Sequence, residues 1–283
     1  MLRLAIQSKG RLSDDSISLL QEIGINVDAT HRKFLAQTAN FPLEILYMRD
    51  DDIPQVVSNG TSSLGIVSLN EIAERGYEVN VLRKLGFGQC RISIAVPKNS
   101  TYDGPSWLNG KKIATSYPAI LKRWLAEQKV EAEIVVITGS VEIAPAANIA
   151  DAIFDIVSSG GTLVSNGLEE VEKVFFSEAA LIASPSVSEE EQPMIDEILF
   201  RIDSAMVSRR KKYLLMNIPA SSVDEAIRIL PSMRSPTIMP LAAEGWCSMH
   251  SVVDERDLWD KIRQLKAIGA EGILVLNIDK IIP

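Results

Sequence analysis

Cysteine is nearly missing from this 283-residue chain, which has only Cys90 and Cys247. With just two histidines beside them, His31 and His250, neither a disulfide framework nor a zinc site has enough ligands. Both thiols are expected to be buried. No Ser or Cys stands in motif spacing with a histidine and an acid, so a hydrolytic triad is unsupported. Aromatic residues make up 6% of the chain, too few for a platform that stacks nucleic-acid bases. Excess positive charge is also missing. A net charge of -8 disfavours a polyanion as main partner, because such affinity rests on clustered Lys and Arg. No apolar run approaches the roughly 20 residues that span a bilayer. The apolar start is broken by Lys9 and Arg11 and shows no cleavage-like segment. We therefore expect a cytoplasmic chain with no nucleic-acid and no membrane partner.

What is present is ordinary globular material, 46% apolar and 23% charged, in a length that suits two or three domains. Residues 2–7 read as a strand, 8–11 as a turn and 14–23 as a helix ended by Gly24. Short apolar runs at 43–48, 64–67 and 92–96 alternate with helical segments at 53–58 and 69–75, the pattern of an α/β sheet. A second α/β unit begins near residue 91, with strands at 111–115, 133–137 and 150–156 and a helix at 119–128. The run 179–183 is a candidate for return to the first sheet. That double crossing predicts two lobes with a ligand cleft between them. After a helix at 194–207 and the basic cluster at 209–212, the order is strand 213–218, helix 223–230, strands 237–241 and 247–253, helix 258–268 and strand 272–278. This is the βαββαβ plan of a ferredoxin-like domain. The expected division is 1–90 with 177–207 as lobe I, 91–176 as lobe II and 208–283 as a separate C-terminal domain.

The run most informative about chemistry is 150–163. An apolar strand ends in Asp155, and Ser158, Ser159, Gly160, Gly161, Thr162 and Leu163 lead into a helix start. Two glycines let backbone N–H groups approach an anion closely, and hydroxyls add donors at the positive end of a helix. This is a candidate phosphate cradle. Asp155 suits a sugar hydroxyl, since a carboxylate facing phosphate would repel it. Taken alone, the run reads equally well as a plain strand-to-helix turn. Asp50-Asp51-Asp52 resembles a metal cluster only superficially, because consecutive side chains do not converge. One of the three is expected to cap the helix that starts at Ile53-Pro54.

Six further segments carry a resemblance: Ser8-Lys9-Gly10-Arg11-Leu12, Arg49-Asp50-Asp51-Asp52-Ile53-Pro54, Gly86-Phe87-Gly88-Gln89-Cys90-Arg91, Ala114-Thr115-Ser116-Tyr117-Pro118, Gly139-Ser140-Val141-Glu142-Ile143-Ala144-Pro145 and Ser235-Pro236-Thr237-Ile238-Met239-Pro240-Leu241. With the Asp155 loop they closely resemble the long, self-regulated ATP phosphoribosyltransferases, in order and from residue 2 almost to the end. The resemblance implies a Mg²⁺-dependent transferase, the first step of histidine biosynthesis. It joins N1 of the adenine of ATP to phosphoribosyl pyrophosphate and releases pyrophosphate. It also implies a type II periplasmic-binding-protein-like two-lobed α/β body plus a ferredoxin-like regulatory domain. By position, Asp155, Ser158 to Leu163 and Glu142 would hold phosphoribosyl pyrophosphate. Arg11 and Arg32 would meet the leaving pyrophosphate, and Lys9, Gly10, Leu12, Arg49 and Tyr117 would lie on the ATP side. Asn217, Met233, Ser235, Thr237 and Gly272 would bind histidine as inhibitor; Asn217 departs from relatives with Asp there, which removes a salt bridge to that effector. The metal's ligands stay unassigned, and a homo-oligomer, dimer or hexamer, is implied.

Two other readings compete. A two-lobed sensor without catalysis would share the fold, which does not fix function. It predicts an export signal or a fused DNA-binding helix pair, and neither is visible. A transferase acting on a free base typically shows adjacent carboxylates before the phosphate loop, whereas Asp151 and Asp155 are separated by three residues.

Overall fold

The computed structural model describes residues 1–27 and 34–282. Arg32 and His31 therefore lie outside the described residues. The chain divides into two compact units, Met1–Met194 and Ile195–Pro283.

The first unit opens with β1 (Leu2–Gln7), α1 (Arg11–Glu22), β2 (Leu35–Gln37), β3 (Leu43–Met48), α2 (Ile53–Ser58), β4 (Leu64–Ser68), α3 (Leu69–Arg75) and β5 (Asn80–Lys84). It continues through β6 (Cys90–Pro97), β7 (Lys112–Thr115), α4 (Pro118–Gln128), β8 (Glu133–Val136), β9 (Ala152–Val157), α5 (Gly161–Ser165) and β10 (Leu168–Ser177), and β11 (Ala179–Ala183) follows. Two sheets result, β2-β3-β1-β4-β11-β5 and β10-β6-β9-β7-β8. In the first, β3, β1 and β4 run parallel; in the second, β8, β7 and β9 do. Apart from the edge strand β8, these strands are the near-continuous apolar runs of the sequence, as expected of parallel strands covered on both faces. Packing is close: a Cβ on Gly65 would lie 2.8 Å from Ile53 Cγ2 and 2.9 Å from Val57 Cγ2, so α2 rests directly on the backbone of β4.

The chain leaves lobe I between β5 and β6 and returns between β10 and β11, which pairs with both β4 and β5. The double crossing expected from 179–183 is present. Three strands were not legible in advance. β10 carries Glu169, Glu170, Glu172 and Lys173 and shifts register twice, so its apolar residues never alternate regularly. β2 and β5 are short and mostly exposed; an edge strand with two wet faces has no hydrophobic pattern to read.

Helix α6 (Gln192–Ser208) leads into β12 (Lys211–Pro219), α7 (Val223–Ile229), β13 (Thr237–Pro240), β14 (Trp246–Asp254), α8 (Leu258–Ala267) and β15 (Glu271–Asn277). The sheet order β13-β14-β12-β15 is all antiparallel and ferredoxin-like. Its core joins Leu214, Met216, Ile218 and Met249 to Ala226 of α7, Leu230 just after it, and Leu258 and Leu265 of α8. Most of α6, expected with lobe I as part of 177–207, instead groups with this unit. Its apolar face, Ile195, Ile198, Ile202 and Ala205, is buried, and at its end Ser208 Oγ donates to the Asp279 carbonyl at 2.9 Å.

Two smaller expectations are corrected. Asp52 precedes α2 with helical dihedrals and makes no side-chain cap bond, because Asp50–Asp52 already coil as a 3-10 turn. Cys90 and Cys247 are half-buried rather than buried.

Candidate functional site

Parallel strands aim their C-terminal ends at one rim, and in open α/β sheets ligands bind in the crevice beyond those ends. In lobe I that rim carries Lys9, Gly10 and Arg11 after β1, Arg49 to Asp52 after β3, and Ser68 to Glu71 after β4. In lobe II it carries Ser116 and Tyr117 after β7, Ser140 to Glu142 beyond β8, and 158–163 after β9. The sequence-predicted segments thus fall on two rims.

Glu142, Asp155 and the turn from Ser158 to Leu163 line one recess of about 80 Å³. Gly160 turns the chain with φ 84°, a left-handed conformation that glycine adopts without strain, and caps the first turn of α5. Leu163 is buried and roots the turn in the core, so its side chain contributes packing. Glu142 enters on a short 3-10 turn after Ser140, whose φ of 51° is left-handed in a non-glycine residue. Asp155 is partly buried near the end of β9. Burial raises its carboxyl to about 6; the Ile156 amide pulls it down, and the Glu142 charge pushes it up. The recess therefore holds a carboxyl at near-neutral pKa beside a turn of backbone and hydroxyl donors.

A residue outside the expected set braces that turn. Arg91, on β6, donates Nη1–H to the Ser158 carbonyl at 3.0 Å. Its other donors, Nε and Nη2, meet the two Glu170 oxygens at 2.5 and 2.6 Å. Ser93 Oγ adds a bond to Glu170 at 2.7 Å. The fork-to-carboxylate match is bidentate and rigid, and it holds the Glu170 carboxyl below the usual carboxylate range. Arg91 closes the Gly86 to Arg91 motif, so the signal was present, but its partner lies on β10, the strand that carries no readable pattern.

On lobe I, Gly10 takes φ 99° at the start of α1, and Arg11 is that helix's first residue rather than part of a turn. Lys9, Gly10 and Arg11 are exposed. Leu12 differs from its expected role, since its side chain is 9% exposed and belongs to the core. Arg49 is exposed and pairs with Asp51 at 3.1 Å, while Arg75 meets the same carboxylate at 3.1 Å. Tyr117 sits at the start of α4, its amide donating to Thr115 Oγ1 at 2.8 Å. Burial, then the charges of Glu71, Asp155 and Asp50, raise its hydroxyl well above the ordinary tyrosine value. Tyr117 thus feels carboxylates of both rims.

The C-terminal unit separates its expected residues into two groups. Asn217 Nδ2 would lie 3.3 Å from a Cβ on Gly272, whose φ is +57°, so these two adjoin. Thr237 lies opposite His250 on β13, and Ser235 and the exposed Met233 precede it. One strand separates β13 from Asn217's β12 and two separate it from Gly272's β15, spans of about 10 and 14 Å at the usual strand spacing. The His250 ring meets Tyr213 Oη at 2.6 Å and Ser248 Oγ at 3.1 Å. Among the described residues no group of three His, Cys, Asp or Glu is placed to hold a metal, and no helix is long and apolar enough to cross a membrane.

The pattern of the ATP phosphoribosyltransferase family matches residues 49–204, and that of the HisG C-terminal domain matches 208–280. ATP phosphoribosyltransferases of Bacteroides fragilis and Bacteroides thetaiotaomicron are each 54% identical over 282 residues, covering 100% of both chains. That of Cytophaga hutchinsonii is 49% identical over 282 residues, with 99% of its length covered. Among solved structures, the ATP phosphoribosyl transferase (HisG:HisZ) complex from Thermotoga maritima aligns with TM-score 0.63 at 24% identity, over 72% of this chain and 96% of that one. The two-lobed body, the ferredoxin-like domain after it and full-length identity with curated members agree, and the chain belongs to the ATP phosphoribosyltransferase family in its long form.

Proposed function

We propose that the chain transfers the phosphoribosyl group of phosphoribosyl pyrophosphate to N1 of ATP, the first committed step of histidine biosynthesis. The observation that carries this reading is the lobe II recess, where a single turn combines anion donors with Asp155 and Glu142. The 5-phosphate sits on the amides and hydroxyls of 158–162, and the two carboxylates accept from the ribose hydroxyls. In the reaction the bond from C1 of the ribose to the pyrophosphate oxygen breaks, and the adenine N1 lone pair forms the new C–N bond. N1 is largely unprotonated at neutral pH, so no general base is required. The work is alignment of the two substrates and stabilisation of charge.

As C1 becomes cationic, pyrophosphate gathers negative charge, which Arg11 and Arg32 neutralise with bidentate guanidinium donors. Loss of Arg11 is expected to raise the barrier by about 2–4 kcal/mol, the cost of removing an oxyanion donor. Lys9, Gly10, Arg49 and Tyr117 serve the ATP side, with Leu12 supporting Arg11 through the core. Mg²⁺ fits this donor set as an ion that takes one or two carboxylates and is otherwise held by substrate phosphates. Glu142 and Asp155 are the carboxylates the recess offers it, and when bound it would share the leaving group's charge.

The C-terminal domain takes histidine as feedback inhibitor through Asn217, Gly272, Met233, Ser235 and Thr237, in a cytoplasmic homo-oligomer of dimers and hexamers. The assay is direct. Pure protein is given ATP, phosphoribosyl pyrophosphate and Mg²⁺, with pyrophosphate removed enzymatically, and the adduct is followed by absorbance. Adduct formation that needs all three supports the reading; none with any nucleotide overturns it. An unchanged initial rate in millimolar histidine at subsaturating substrates would remove the inhibitor.

A further inference from the structure

The two lobes are joined by two short links, 85–89 between β5 and β6 and Glu178 between β10 and β11. Links of that length leave the angle between lobes open to small backbone rotations, so contacts beyond the links decide it. Helix α3 makes such contacts. At its start the Leu69 amide donates to the Glu178 carbonyl at 3.0 Å. The Asn70 amide donates to Ser177 Oγ at 3.1 Å, and that hydroxyl donates to Asn70 Oδ1 at 2.7 Å. The helix is thus rooted at the return link.

Its other end meets the start of α4 in lobe II. One carboxylate oxygen of Glu74 accepts from the Ala119 amide at 2.8 Å and the other from the Ile120 amide at 2.9 Å. These are donors that a helix start leaves without partners. Lobe II supplies no cap of its own: Tyr117, at the N-cap, makes no side-chain bond to the helix, and Pro118 has no amide hydrogen. The next amide, Leu121, is satisfied locally by the Tyr117 carbonyl at 3.1 Å. One turn along α4, Arg123 donates to the Ala73 carbonyl in the last turn of α3 at 2.6 Å. A negative group thus meets the positive end of α4, and a positive group the negative end of α3. A Ser, Asp or Asn at position 117 would cap α4 within its own lobe. With tyrosine there, the start of α4 is satisfied only while lobe I stands where it does.

We infer that Glu74 is a positioning residue for the transfer: by capping α4 from α3 it sets the angle between the lobes, and with it the distance from the lobe II recess to the lobe I rim. The role rests on the transferase reading above, in which lobe II holds the phosphoribosyl group while Lys9, Arg11 and Arg49 reach the reacting groups from lobe I. A tilt of one lobe moves the anomeric carbon away from both ATP and the leaving-group donors, and a displacement of about 1 Å can cost about 100-fold in rate. Glu74 touches no reacting atom and acts by placing α4.

The test compares the full chain with its Glu74→Ala and Glu74→Gln variants in three measurements: adduct formation, ribose 5-phosphate binding by calorimetry, and amide hydrogen exchange. Glu74→Ala should lower kcat by about 10- to 100-fold. Glu74→Gln, with one accepting oxygen left, should fall between it and the parent. Ribose 5-phosphate carries only the groups that the lobe II recess holds, so its Kd should be unchanged in both variants. Exchange in Glu74→Ala should quicken at least about tenfold at Ala119 and Ile120. It should also quicken at Leu85 and Ala179, whose amides bond across the two links to the Ala179 and Phe87 carbonyls at 2.9 Å each. Full kcat in Glu74→Ala, faster exchange confined to α4, or weaker ribose 5-phosphate binding would each overturn the role of Glu74. The second result would leave it a helix cap alone, and the third would trace the loss to a damaged recess. A parent chain that makes no adduct would instead overturn the transferase reading and this role with it.

Discussion

Replacing Asp155 by Asn should stabilise the ligand-free protein while crippling it, and the size of the gain can be worked from the site. Burial lifts the carboxyl from 3.8 to about 6 in the folded chain. Because the folded value lies above the unfolded one, the folded chain binds the extra proton between the two. The contribution of this group to stability is therefore fully present below about pH 4 and is lost as pH rises through that window. Roughly two pH units at about 1.4 kcal/mol each come to about 3 kcal/mol of stability lost by pH 7.5. The amide of Asp155→Asn would carry no charge and escape the loss. Urea unfolding of parent and variant, without ligands, should give curves that coincide near pH 4 and diverge to about 3 kcal/mol at pH 7.5, the variant being the more stable. The same variant should lose about 10- to 100-fold in kcat/KM, since a charged acceptor for the ribose hydroxyls becomes a weaker neutral one. A stability difference independent of pH, or a variant less stable at pH 7.5, would refute the claim that Asp155 is held at a cost for binding.

Three other outcomes follow from named contacts. Arg91→Ala removes the brace on the Ser158 carbonyl and strands Glu170, so the KM for phosphoribosyl pyrophosphate should rise at least about tenfold with a smaller change in the KM for ATP; equal changes in both would argue against a local brace. Gly160→Ala forces a side chain into φ 84° and should cost about 1–2 kcal/mol in denaturant unfolding, together with weaker binding of phosphoribosyl pyrophosphate by calorimetry. Gly65→Ala places a methyl within 3 Å of Ile53 and Val57 and should destabilise by about 1–3 kcal/mol, with the activity of the folded fraction unchanged.

The phosphate turn shows how far local chemistry alone carries. A strand ending in Asp155, then Ser158 to Thr162 with two glycines, states its own backbone geometry, because only glycine turns easily at φ 84° and only a helix start presents free amides. The C-terminal βαββαβ order was equally legible, since its strands and helices stand as separate apolar stretches between polar turns. Those features depend on neighbours a few residues away, and the chain order specifies them.

Long-range pairing is where that legibility ends. Glu170 means nothing until β10 lies beside β6 and brings its carboxylate to Arg91, 79 residues away. Glu74 is an ordinary helix carboxylate until the Ala119 and Ile120 amides arrive from the other lobe, and Leu12 looks like part of a binding turn until its side chain is seen to enter the core. Helix α6 follows its own period faithfully, yet which unit it groups with depends on contacts such as Ser208 to the Asp279 carbonyl, 71 residues away. Residue types and their spacing determined the elements, the anion turn and the family. Folding in three dimensions decided which charges are buried and which are paired, because burial and pairing depend on what packs against a group rather than on what precedes it.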